Sequence, residues 1–232
     1  MLEKNKLYRE LWYPTTIYFK DIENSKELNK QLLKDIYKWK DEDEKGIKRS
    51  NTTGWHSAVS MHQRKEFKPL VDELFKMQNE IFKDEDYEPN TTPMLDNMWA
   101  NVNYKYAHNR NHVHPGALWS GVYYIQCPKD CGNIWFTDPA PARALDIPNF
   151  NPKTKRQNHQ LREVYYHAVE GRLIMFPGWL THEVEMNMSN LRGNKGHRVS
   201  VSFNFKQIWK PQAVKPNKGG HSSKAMTFED FE

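Results

Sequence analysis

Two histidines two residues apart, His112 and His114, lie in Asn111-His112-Val113-His114-Pro115, and a third, His182, follows about seventy residues later in Leu180-Thr181-His182-Glu183-Val184. Neutral imidazole is a common ligand for first-row transition metals. In extended backbone alternate side chains share a face, so His112 and His114 can aim at one spot. A third imidazole from a distant strand would complete a site that keeps coordination positions open. A lone buried histidine is more often a hydrogen-bonded core residue. Three in this arrangement point to a metal-dependent enzyme built on His112, His114 and His182.

Such ligands need a rigid scaffold, and the chain changes texture where they occur. Before residue 94 it reads as a helical front end. Leu28, Leu32, Leu33, Ile36 and Tyr37 recur at helical spacing from Ser25, a suitable cap, to Glu42. Phe67, Leu70, Val71, Leu74, Phe75, Gln78 and Ile81 mark a second amphipathic helix over 65–83. Residues 51–64 read as loop with a short strand. From Met94 to Phe205, eight short aromatic and β-branched runs alternate with turn signals such as Pro115-Gly116, Asp138-Pro139, Gly171 and Pro177-Gly178. This predicts a mainly β protein, a jelly-roll or cupin-like double-stranded β-helix with the N-terminal helices packed outside. The expected division is a helical region over 1–93, a catalytic core over 94–206 and a polar tail over 207–232. Ala140–Gln160 reads as a long loop of the kind that often forms a lid. In Arg198-Val199-Ser200-Val201-Ser202-Phe203-Asn204-Phe205 the residues alternate cleanly. Its polar side faces either water or a cavity, and periodicity does not choose.

Composition sets outer bounds. With 232 residues and 13% aromatics the chain can bury one ample core. A net charge of +5, spread along the chain, permits an acidic partner without requiring one, and nucleic acid is not an expected partner. Met1–Lys6 precedes no apolar run, so neither a signal peptide nor a membrane span is visible. Cys127 and Cys131, with no second pair, make a poor zinc site and read as reduced thiols. The expected location is cytoplasmic, or host cytoplasm if phage-encoded. Trp119, Trp135 and Trp179 are expected to wall a substrate mouth, with Asn101 and Asn103 as polar contacts. The other histidines (His56, His62, His108, His159, His167, His197, His221) are expected at the surface, although His167 could face the cavity.

The succession His112-Val113-His114-Pro115, Trp119-Ser120-Gly121-Val122-Tyr123-Tyr124-Ile125, Gly171-Arg172-Leu173-Ile174-Met175-Phe176-Pro177, His182-Glu183-Val184 and Arg198-Val199-Ser200-Val201-Ser202 resembles the Fe(II)/2-oxoglutarate-dependent dioxygenases. It is most similar to oxygenases of marine bacteria and their phages, then to the prolyl hydroxylase branch. The resemblance spans roughly 99–205. It implies Fe(II), 2-oxoglutarate and O2, and hydroxylation of a small-molecule or peptide substrate with release of succinate and carbon dioxide. It also places the metal on His112 and His182, and the distal carboxylate of 2-oxoglutarate on Arg198 with help from Tyr124. A planar guanidinium suits a carboxylate because it makes two parallel charge-assisted hydrogen bonds. Ser120 and Ser200 would be lesser neighbours of the cosubstrate.

One position departs from that family. Its usual second ligand is a carboxylate two residues after the first histidine, where this chain has His114. Three neutral imidazoles leave the metal its full +2 charge and are also a zinc ligand set. Either His114 ligates or a nearby carboxylate substitutes. Asp138 is the better substitute, since Glu183 beside His182 on a strand should face away. A cupin-like zinc or other metal enzyme that ignores 2-oxoglutarate is therefore the alternative function. A non-catalytic binding module using the basic tail is a third reading.

Overall fold

The computed structural model describes residues 7, 9, 13–145 and 148–210. Met1–Lys6, His221 and most of the expected tail lie outside them. Strand β1 (Tyr18–Asp21) leads to helix α1 (Ser25–Glu42), β2 (Trp55–His56), α2 (Lys68–Asp84), β3 (Thr91–Asn103), β4 (Asn109–His112) and β5 (Trp119–Gln126). Then follow β6 (Asn133–Thr137), β7 (Glu163–His167), β8 (Arg172–Pro177), β9 (His182–Val184) and β10 (Arg198–Trp209). The strands form two antiparallel sheets, ordered β1-β8-β5-β10-β3-β2 and β4-β9-β6-β7. The fold is mainly β, of the jelly-roll type expected.

The alternation in β10 explains how the layers assemble. Val199, Val201, Phe203 and Phe205 are fully buried against Leu32 and Ile36 of α1 and Leu70 and Leu74 of α2. Each such side chain contributes about 1.5–3 kcal/mol by leaving water. The neighbouring strands follow suit, with Met98, Ala100 and Val102 of β3 and Tyr123 and Ile125 of β5 facing the helices. The opposite face of the same strands looks toward the smaller sheet. There Val122, Tyr124, Ile174 and Phe176 meet Ile134 and Phe136 of β6 in a second apolar cluster. The polar side of β10 therefore faces a cavity, not bulk water.

The front end contributes more than helices. β1 and β2, from within 1–93, are the two edge strands of the larger sheet, and β1 has no clear period-2 signal in sequence. β3 begins at Thr91 and β10 continues to Trp209, where the two pair, so the sheet extends past both expected core boundaries. Asn24, in left-handed backbone, precedes α1 and Ser25 is its first residue, not its cap. Gly121 owes its place to the ring of Phe203, which lies where a Cβ would be. Among the described residues no helix is long and apolar enough to cross a membrane. Cys127 and Cys131 are free thiols.

Candidate active site

His112 ends β4 and His182 begins β9, and the two residues are cross-strand partners in the smaller sheet. Their ring centroids are 4.3 Å apart. His114 lies just past β4, where its amide donates to the carbonyl of Gly178 (2.8 Å) and a tight turn through Pro115-Gly116 begins. Its ring centroid is 5.1 Å from that of His112 and 5.0 Å from that of His182. One ligand atom from each residue lies within 4.8 Å of the other two.

Their hydrogen bonds orient the rings. Nδ1 of His112 meets the carbonyl of Arg110 at 2.6 Å, and Nδ1 of His182 meets that of Leu180 at 2.9 Å. Nδ1 of His114 meets Oδ1 of Asn204 at 2.6 Å. A carbonyl oxygen only accepts, so each Nδ1 carries the proton and each Nε2 keeps a free lone pair. Burial holds all three imidazoles below the ordinary histidine range, with His182 pulled down to about 3. Neutral rings with second nitrogens anchored to oxygen are the state in which histidine binds a metal. The donor set therefore fits a divalent transition metal.

The same cavity, about 500 Å³ including its mouth, is lined by Tyr124, Arg198, Ser200, Ser202, Asn101 and Asn103 in addition to the histidines. Arg198 is 1% exposed. Its Nη1 donates to the carbonyls of Glu185 (2.9 Å) and Cys131, while Nη2 has no partner. Gly132, at φ +86°, makes room for it, since a Cβ there would lie 2.9 Å from Nη1. The Tyr124 hydroxyl is likewise buried and unpartnered, and desolvation pushes its pKa up, so it stays protonated. Burial pulls the Arg198 guanidinium down from its very high starting value. Two donors without acceptors, buried in one cavity, match a ligand that only accepts, and a carboxylate is such a ligand.

Several expected residues fall elsewhere. Ser120 is fully buried and donates to Asn204 Oδ1 (2.7 Å), and it is not among the lining residues. Asp138 is absent from the cluster that could hold a metal. Its carboxylate pairs with Arg143 (3.2 Å) and accepts from the amide of Ala140. Glu183 is exposed and opposes Trp135. None of the three expected tryptophans lines the cavity. Trp119 faces the helices, edge-on to Tyr18 and donating to the Tyr87 hydroxyl. Trp135 sits on the outer face of the smaller sheet beside Tyr165, and Trp179 is 54% exposed. The lining tryptophan is Trp99, stacked on the buried His56 and in contact with His114. His56 is thus no surface residue. Its register opposite Asn101 was hidden because β2 is only two residues long. His167 is exposed and points away from the cavity, with Nδ1 on Asn133.

Residues 97–204 match the family model described as "Putative 2OG-Fe(II) oxygenase". Over that span, a little under half of the chain, the sequence is similar to the 2-oxoglutarate/Fe(II)-dependent oxygenases. Among solved structures, a Pseudomonas putida prolyl-4-hydroxylase is similar at 13% identity and TM-score 0.56, over 83% of this chain and 94% of that one. The non-heme α-ketoglutarate-dependent epimerase SnoN from nogalamycin biosynthesis is similar at 10% identity and TM-score 0.58, over 90% and 86%. HygX from Streptomyces hygroscopicus, with nickel and 2-oxoglutarate bound, is similar at 10% identity and TM-score 0.53, over 82% of each chain. At these identities the structural likeness speaks for the fold alone. No curated protein matches the chain in sequence.

Proposed function

We propose that the chain hydroxylates a small-molecule or peptide substrate, using O2 and 2-oxoglutarate and releasing succinate and carbon dioxide. The observation that carries this is the pairing of two unpartnered buried donors, Tyr124 Oη and Arg198 Nη2, with three convergent imidazoles in one cavity. His112, His114 and His182 would hold Fe(II) through Nε2. Bound there, iron would supply activation of O2 coupled to decarboxylation of the keto acid. Arg198 and Tyr124 bind the distal carboxylate and orient the cosubstrate toward the histidines, with Ser200 beside them. Ile134, Val122 and Phe176 form the apolar wall that limits water. Asn101, Asn103 and Trp99 are the contacts offered to the primary substrate.

The test is succinate formation from 2-oxoglutarate by anaerobically prepared, Fe(II)-loaded protein on exposure to O2. Wild type should turn over slowly even without substrate, and His182→Ala and Arg198→Met should not. Tight zinc, no succinate and no effect of Arg198→Met on metal content would instead identify the cupin-like metal enzyme, which the three-imidazole set also suits.

A further inference from the structure

We propose that Asn204 is a positioning residue for His114, and that a chain of amides running from Asp96 dictates which nitrogen of that imidazole faces the metal. The inference rests on the reading of His114 as a ligand.

The chain of amides starts at Asp96. Asp96 offers carboxylate oxygens, which accept hydrogen bonds, and Lys206 Nζ pairs with Oδ1 at 2.9 Å. Asn97 reaches the other oxygen, Oδ2, at 3.0 Å, and only its Nδ2 can donate there. The Asn97 atom left facing Asn204 is therefore Oδ1, an acceptor. Asn204 must present Nδ2 to it, and the contact is 2.7 Å. That turns Asn204 Oδ1 toward Ser120 Oγ (2.7 Å) and His114 Nδ1 (2.6 Å). An amide oxygen cannot donate, so the proton sits on Nδ1 of His114 and its Nε2 lone pair points to His112 and His182. Each amide orientation follows from the one before it.

Backbone irregularity makes the relay possible. β3 and β10 slip register between Asn204 and Phe205, so Asn204 opposes Asn97 while Phe205 opposes Leu95. Asp96 is the extra residue of that bulge, and bulges re-aim side chains in this way. His112 and His182 rest instead on backbone carbonyls, which need no such arrangement. His114 stands where the related family has a carboxylate, and it is the ligand whose tautomer depends on side chains.

The experiment reads the tautomers of the metal-free full chain by two-bond 1H–15N correlations of the imidazoles, alongside anaerobic Fe(II) titration. His114 should be the Nδ1–H form in wild type. Asn204→Leu and Asn97→Leu should convert it to a mixture or to Nε2–H, leave His112 and His182 unchanged, and weaken Fe(II) binding about 10- to 100-fold. Asn204→Asp keeps an acceptor at that point and should retain the Nδ1–H form. It also serves if the leucine variant fails to fold. Ser120→Ala removes a bond to the same oxygen but should not move the tautomer. An Nε2–H His114 in wild type, or one unchanged in Asn97→Leu and Asn204→Leu, overturns the proposal. Wild type that binds no Fe(II) while showing the expected tautomers would count against the ligand assignment, not against the relay.

Discussion

Replacing Tyr124 by Phe separates what the hydroxyl does for the fold from what it does for the cosubstrate. The side chain is 1% exposed and its oxygen has no hydrogen-bond partner, so the ring contributes packing and the hydroxyl contributes only an unmet demand. Removing a buried unsatisfied polar atom is worth about 1–3 kcal/mol to the folded state. The ligand-free variant should then hold or gain stability, by about 2–4 °C in melting temperature per kcal/mol in a chain of this size. Binding should move the other way. A hydrogen bond from a neutral donor to a charged acceptor contributes about 1.5–3 kcal/mol. At about 1.4 kcal/mol per decade, loss of this one weakens 2-oxoglutarate binding roughly 10- to 150-fold. Thermal unfolding without ligand and calorimetric titration of 2-oxoglutarate into Mn(II)-loaded protein give the two numbers. A variant that is less stable yet binds 2-oxoglutarate as tightly as wild type would show that the hydroxyl serves the fold and not the cosubstrate.

Two further expectations concern the scaffold. Gln78 is fully buried in α2 with neither amide atom partnered, so Gln78→Met should raise stability by about 1 kcal/mol, read as a higher urea midpoint at unchanged slope. Asp21 on β1 receives two hydrogen bonds from Arg172 on β8, at 2.7 and 2.8 Å, and these hold its carboxyl below the ordinary carboxylate range. The contribution of Asp21 is therefore complete above the unfolded-state pKa and lost as pH falls through the lowered folded-state value. With Asp21 59% exposed, Asp21→Asn should cost well under about 1 kcal/mol at neutral pH and nothing in strong acid, as measured by urea unfolding against pH.

Much of the site was legible because strand chemistry is local. The two-residue spacing of His112 and His114, the alternation of β10 and the helical stripes of α1 and α2 each follow from a short-range period. These periods bring out the paired imidazoles and the two-sided last strand, whereas Arg198, Tyr124 and Ser200 come from the family resemblance, and whether the polar side of β10 meets water or a cavity is decided only by the packing of the two sheets. What stayed hidden depends on long-range register. Trp135 and Trp119 read as mouth residues because aromatic side chains carry no mark of which sheet face they occupy. A two-residue strand such as β2 has no period to detect, so buried His56 passed for a surface residue. Asn204 is polar in an alternating strand, and nothing local indicates that a bulge at Asp96 brings Asn97 opposite it. Asp138 was a reasonable substitute ligand by composition, but its partnership with Arg143 comes from a loop whose path the sequence does not specify.

We propose that three imidazoles and no carboxylate make the metal centre. Anaerobic titration of Fe(II) into metal-free wild type, His112→Ala, His114→Ala, His182→Ala and Asp138→Asn tests it most directly. Wild type should bind one ion per chain and Asp138→Asn should bind with the same affinity, with binding lost or severely weakened in each histidine variant. Retained binding in His114→Ala together with loss in Asp138→Asn would contradict that assignment and make the centre two histidines and a carboxylate.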